Sequence, residues 1–520
     1  MRQILHIFKK DIRRHWPEIL ISLALLGLYA RLMTHHQGDR LTAYWFPWYQ
    51  LSATSIPSLM IIFWIFLTVR LVQGETLVGD RQWWVTKPYE WWKLLAAKEI
   101  FLLAFIGTPL FLVQLFLLRH ASFPILHNFV GVLEMQFALA IVLFLPSVAL
   151  GSLTKSLGQA FIALLIVFVG FSATAALLAK VPNSGMSFAV EGLGEISSVL
   201  VLGSIIGAAG WQYARRKTWA SRGLLVAGIA VTVLIGVLTP YAIFVNRKYP
   251  LLEPKDAPAQ IAPEVLPKST KKPPIWFDRM SDIPLTIPIS VSGVGAGKVV
   301  LVQGIKLTIE TPEGTKLDRG WNRQWLFLWP EGGQNQISYP IDRKRFDQIK
   351  TQKAVLHIEL ALTEYQEEEE REIVLIEGEF SDPKLGFCTF SQRNPSQIDC
   401  RRAFRTPGLM ATFDPSQASC QAQESDTEII EDKTSHAWLA GGDDDFPTPG
   451  LNPVVSYSLA FRSQQSVFTP DKHAKRRTVY LCSGAKVRLA KPQAVRDARV
   501  KLEMQNVAVQ DLVNFGNYED

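Results

Sequence analysis

The sequence predicts a helical, polytopic membrane domain of about seven spans followed by an extracytoplasmic all-β, sandwich-like domain. Three observations carry that prediction. Up to residue 246, apolar runs recur at roughly the 20 residues needed to cross hydrocarbon. From residue 276 onward, apolar and polar residues alternate at period two, punctuated by Gly, Pro and Asn, as in antiparallel strands with one buried face. All four cysteines fall in that second region, which fits an oxidising compartment.

The apolar runs fall at residues 17–34, 51–73, 99–118, 129–151, 158–180, 196–213 and 223–245. Ahead of the first, Ile4, Leu5, Ile7, Phe8 and Ile12 share one helical face, while Lys9, Lys10, Arg13 and Arg14 lie mostly on another. That pattern predicts an amphipathic helix on an anionic leaflet. Tyr29, Arg31 and His35 stand where a cleavage site would need small residues, so the N-terminus is expected to be retained. Residues 182–195 are too polar for a span and are expected to form short outer-surface helices. The clearest ionisable residue away from the ends of a run is Glu134, a candidate intramembrane polar site.

Lys and Arg near span ends set orientation. They cluster in the N-terminal segment, in the loop after the second run (Arg81, Lys87, Lys93, Lys98) and in the loop after the sixth (Arg215, Arg216, Lys217, Arg222). These segments are expected in the cytoplasm. Seven spans then deliver the C-terminal half to the outside of an inner membrane. The net charge of +7 follows this loop bias and implies no nucleic-acid partner.

Residues 247–275 repeat proline too often for helix or central strand and read as a semi-rigid spacer between the membrane domain, 1–246, and the outer domain, 276–520. Beyond it, alternation runs through Leu285, Ile287, Ile289 and Val291, then Ile305, Leu307 and Ile309, then Leu356, Ile358, Leu360 and Leu362. Further strands are expected at Val455–Phe461 and around Val500, Leu502 and Met504. The acidic run 367–370 between strands reads as a solvated turn. Four cysteines allow three pairings, and Cys388 with Cys400 plus Cys420 with Cys482 is the preferred one.

No catalytic, metal or cofactor site is expected. The stretch 292–299, SGVGAGKV, lacks the first glycine and the Ser/Thr of a phosphate loop, and reads as a hairpin turn. Asp443, Asp444 and Asp445 lack the spacing of a known calcium loop. The histidines of the second half show no zinc-ligand pair.

The most specific stretch is the loop after the second run. Trp83 and Trp84 precede Lys87-Pro88, and Trp91 and Trp92 follow it, which suits a short helix or helix pair with its indoles at headgroup depth. Glu75, Gly79, Pro88 and Lys98 stand at the spacing found in the membrane subunits of type 2 ABC transporters, and residues 1–213 resemble that family. The resemblance implies a permease subunit of an ATP-driven exporter, present as two copies or with a related subunit. A separate cytoplasmic ABC ATPase would dock on residues 75–98, with Arg81 and Lys87 meeting its polar groups. A seventh span and a large outer domain depart from the basic family design. The alternative is a membrane-anchored sensor or scaffold whose outer β-domain binds a ligand or an envelope partner.

Overall fold

The computed structural model describes residues 2–36, 47–74, 90–180, 186–215, 217–238, 241–264, 277, 280–295, 297–328, 335–392, 397–404, 408–413, 435–439, 451–461 and 481–513. Its first half is helical: α1 (Arg2–His36), α2 (Pro47–Gln73), α3 (Trp91–His120), α4 (Ile125–Leu153), α5 (Leu157–Lys180), α6 (Met186–Arg215), α7 (Thr218–Leu238) and the short α8 (Tyr241–Lys248). Among the described residues five helices are long and apolar enough to cross a membrane: α1, α2, α3, α4 and α7. Helices α5 and α6 occupy the fifth and sixth apolar runs. The polar residues 186–195 do not form separate surface helices; their backbone continues straight into α6.

Helix α1 bends at His15 (φ −113°, ψ 18°), two residues before Pro17. The proline has no N–H, and its ring crowds the carbonyl of Arg13, so the helix kinks there. Its buried face is Ile7, Asp11, His15, Glu18, Ser22, Leu26, Tyr29 and Met33, a three-and-four spacing that holds one side of a helix through the bend. Leu5, 66% exposed, lies off that face.

Prolines also mark α3 and α4. A π-helical turn, Leu103–Gly107, precedes Pro109, and another, Ala140–Phe144, precedes Pro146. Widening the helix by one residue per turn lets the backbone pass the proline ring. Beside each proline a hydroxyl adds a bond to a backbone carbonyl: Thr108 Oγ1 donates to Leu103 O at 2.9 Å and Ser147 Oγ to Leu143 O at 2.6 Å.

The second half is built of antiparallel strands: β1 (Gln260–Pro263), β2 (Asp282–Ser292), β3 (Lys298–Glu310), β4 (Lys316–Leu328), β5 (Asn335–Asp342), β6 (Lys353–Val374), β7 (Gly378–Asp382), β8 (Gly386–Phe390), β9 (Gln397–Ala403), β10 (Leu409–Phe413), β11 (Ser435–Leu439), β12 (Val454–Ala460) and β13 (Lys486–Ala508). A short helix, α9 (Arg343–Ile349), follows β5, with the Asp342 carboxylate accepting from the backbone N–H of Lys344 and Arg345. The sheets are ordered β1-β2-β5, β11-β10-β13-β6-β3-β4 and β12-β9-β8-β7. Strand β1 lies within the proline-rich stretch and pairs only with β2, an edge position that tolerates Pro263.

Two apolar cores form between these sheets. One joins Leu285, Ile287 and Ile337 of the three-stranded sheet to Ile305, Leu307, Ile358 and Leu360 of the six-stranded one. The other joins Phe390, Ile398 and Leu459 of the four-stranded sheet to Ala411, Phe413, Val487 and Leu489. Strands β6 and β13, 22 and 23 residues long, pass through both. Fully extended, such strands span roughly 70 Å. Register shifts at Leu489/Lys491 and Ala494/Arg496 fall between the two cores, where bulges bend the ribbon.

Two sequence expectations change here. The acidic run 367–370 is not a turn but part of β6, and β13 sets basic residues against it: Lys491 faces Glu368, and Arg488 Nη2 lies 3.9 Å from Glu367 Oε2. The stretch 292–299 is not a hairpin turn, since β2 and β3 belong to different sheets. Its Gly293 (φ 74°) and Gly297 (φ 69°) turn the chain from one sheet to the other.

Candidate functional site

Most of the loop singled out by sequence, including Glu75, Gly79, Arg81, Trp83, Trp84, Lys87 and Pro88, lies outside the described residues. Its two ends are described, and α1 holds both. At the first end, Arg14 Nη1 donates to the carbonyl of Gly74 at 3.3 Å. At the second, Lys98 Nζ meets Asp11 Oδ2 at 2.6 Å, with side chains 1% and 3% exposed. The sequence reading placed Lys98 at the start of a span. The structure buries it, and α3 extends about two turns further, to Trp91.

The same face of α1 continues the polar contacts. Glu18 Oε1 meets Arg70 Nη1 at 2.5 Å, and the His15 ring stands edge-on to Phe101 with centroids 6.3 Å apart. Ser22 Oγ accepts from Trp64 Nε1 at 2.8 Å. A buried ammonium or carboxylate is tolerable only when paired, which is why Asp11, Glu18, Arg70 and Lys98 come together. Outside this cluster, Lys93 Nζ lies 5.2 Å over the Trp92 ring and bonds Glu90 Oε1 at 2.6 Å. That hydrogen bond holds the Glu90 carboxyl below its ordinary range. Trp91 and Trp92 are about half exposed, 44% and 48%.

At the opposite end of the helices the β region is socketed into them. Leu451 is buried in the helical core, and its carbonyl accepts from Gln114 Nε2 at 3.2 Å. Gln114 Oε1 in turn accepts from Gln136 Nε2 at 2.8 Å, linking α3 to α4. Asn452 Nδ2 approaches Met33 Sδ of α1 at 3.8 Å. Val454 packs with Leu118, Ala121, Phe123 and Val132, and the Phe123 and Phe387 rings meet edge-to-face at 5.2 Å.

Phe404 presses against Gly131: a Cβ built at 131 would lie 2.4 Å from Phe404 Cε2. Phe404 adopts φ 64°, a left-handed conformation costly for a large side chain, with its N–H bonded to Pro453 O at 2.8 Å. A separate tether comes from the end of α8, where Val245 and Tyr249 pack with Trp321 and Ala361. The backbone of Arg499 exchanges hydrogen bonds with Pro250 O and Leu252 N–H.

Glu134 lies nine residues into α4, about 14 Å along it, on an exposed face with Val130, Leu133 and Phe137. Cys388 and Cys400 form a disulfide across the β8/β9 pair. Cys482 is also disulfide-bonded, and Cys420 lies outside the described residues. Among the described residues no group of His, Cys, Asp and Glu is arranged to hold a metal.

Sequence reasoning missed Asp11, His15, Glu18 and Ser22, whose 4-3-4 spacing was the available signal, and it missed the glutamine pair of α3 and α4. The chain matches no protein-family model and no curated protein.

Proposed function

We propose that this chain is the membrane subunit of an ATP-driven exporter, energised by a separate cytoplasmic ATPase that docks on residues 75–98. One observation carries the reading: both ends of that loop are stapled to one helix, Gly74 through Arg14 and Lys98 through Asp11. A loop that receives force from a partner must be stiffly joined to the helices it moves, and a buried ion pair provides such a joint. In this reading α5 and α6 complete seven spans, the N-terminus is cytoplasmic, and the two-core sandwich stands outside an inner membrane, where its disulfides are stable. Exposed apolar faces on α4, α5 and α7 contact lipid and a second copy or a related subunit. ATP hydrolysis belongs to the partner chain.

The test is the double variant Glu75→Ala, Arg81→Ala, which leaves the apolar spans intact. Truncating desolvated charged contacts costs about 2–5 kcal/mol, enough to weaken binding well over tenfold. Wild-type protein is expected to co-purify with an ATPase and to stimulate it, and the double variant, equally abundant in the membrane, to lose both. Retention of both would exclude this loop as the docking site. The sensor or scaffold reading draws on the socketing of the β region into α1, α3 and α4. It becomes the better one if no ATPase associates with the wild type.

A further inference from the structure

Residues 451–453 bring a peptide carbonyl into the apolar core of the helices. Such a carbonyl needs a donor at that depth, and Gln114 supplies it, buried to 1% exposure and itself braced by Gln136. A joint meant only to fasten two domains is made at lower cost from apolar side chains, because each buried amide must be fully satisfied. A glutamine ladder has a different merit. When the inserted segment leaves, its amides are satisfied equally well by water, so the open state is not penalised.

Each of the two helices that form this socket also carries a π turn near its glutamine. The π turn of α3 ends seven residues before Gln114, and that of α4 begins four residues after Gln136. Such single π turns inside α-helices are frequent at functional sites.

The geometry points to residues 451–453 as a plug that closes the outer mouth of the helical domain and withdraws to let cargo leave, an inference that rests on the exporter reading. Leu451 is buried in the helical core, Gln114 and Gln136 hold its carbonyl, and Asn452 against Met33 ties the segment to α1. Phe404 in the hollow over Gly131 holds the base of the plug through Pro453.

The test uses the full chain in intact cells. A thiol probe is placed by Leu110→Cys, one helical turn inward of Gln114, at a side chain that is fully buried in the closed structure. A membrane-impermeant maleimide is added from outside, and labelling at position 110 is read by peptide mass. Met33→Cys with Asn452→Cys then locks the plug by a disulfide, confirmed by mass. Labelling at 110 is expected in the unlocked chain, to fall about tenfold or more in the locked chain, and to rise in Leu451→Ser; tenfold corresponds to about 1.4 kcal/mol of closing free energy. Equal rates in the locked and unlocked chains would overturn the plug. So would failure of Leu451→Ser to label, because removing the side chain should open the mouth even where the lock variant folds poorly. Labelling that follows the plug while no ATPase co-purifies supports the plug and counts against the exporter reading, so the two fail separately.

Discussion

Asp11 and Lys98 should behave as a unit when mutated. At 2.6 Å, two unit charges in an effective dielectric of about 20 attract by about 6 kcal/mol, most of which is offset by the cost of removing both from water. Asp11→Ala removes the carboxylate but leaves the ammonium 1% exposed, and Lys98→Ala leaves the reverse. Each is expected to destabilise the helical domain by about 3–5 kcal/mol. Replacing both with apolar residues of similar volume, Asp11→Leu with Lys98→Met, removes the desolvation cost along with the attraction and should be neutral within about 1 kcal/mol, or stabilising. The measurement is a double-mutant cycle of unfolding free energies in mixed micelles, followed by far-ultraviolet circular dichroism of the helical signal. If the double variant loses as much as the two single changes added together, the residues do not act on each other. The stapling of the loop to α1 would then be wrong.

Three further outcomes are expected. Gly131→Ala should loosen the joint between the helices and the β region, since its Cβ would meet Phe404 at 2.4 Å; adding Phe404→Leu should restore it, which limited proteolysis of the two regions can follow. Replacing Cys388 and Cys400 with alanine opens a link spanning 12 residues and should destabilise the second core by about 3 kcal/mol, read as a lower melting temperature of the β region under oxidising conditions. Burial raises the Tyr457 phenol above its ordinary pKa of 10.0, and its hydroxyl donates to Leu385 O. A raised pKa contributes stability that is full below the unfolded value and is lost as pH climbs toward the folded value. Stability of the second core should therefore fall above about pH 10, and Tyr457→Phe should flatten that alkaline limb while lowering stability at neutral pH by about 1 kcal/mol.

What could be read from the sequence was whatever a single element determines by itself. Period-two alternation located β2, β3, β6, β12 and β13 because each of these strands buries one face. Hydropathy located the long helices because each is apolar along a run long enough to cross a membrane. Cys388 with Cys400 was preferred among three open pairings, and the structure joins the two across β8 and β9. Long-range charge matching was not legible. The acidic run of β6 reads as a turn until the basic residues of β13 are laid against it, and Arg488 stands 121 positions beyond Glu367 in the chain. Lys98 reads as a span boundary until Asp11 is found beside it. The buried stripe of α1 was obscured because Lys9, Lys10, Arg13 and Arg14 surround Asp11 and His15, so the segment looks uniformly basic unless it is read at helical spacing.

That stripe bears on how the two ends of the molecule communicate. Helix α1 touches the loop ends through Asp11 and Arg14, and it touches the plug through Met33. Between them its buried face is continuous, with Glu18 held by Arg70 and Ser22 by Trp64. A packed helix moves as a body more readily than it deforms, and the kink at His15 is braced on both sides by these bonds. Displacing the inner end therefore displaces the outer end, and the coupling must run in both directions. Locking the plug to Met33 should weaken whatever binds the loop by the same factor that binding at the loop weakens the plug. A lock that changed accessibility at position 110 without changing partner affinity would show that α1 does not carry the signal, and would leave the π turns of α3 and α4 as its route.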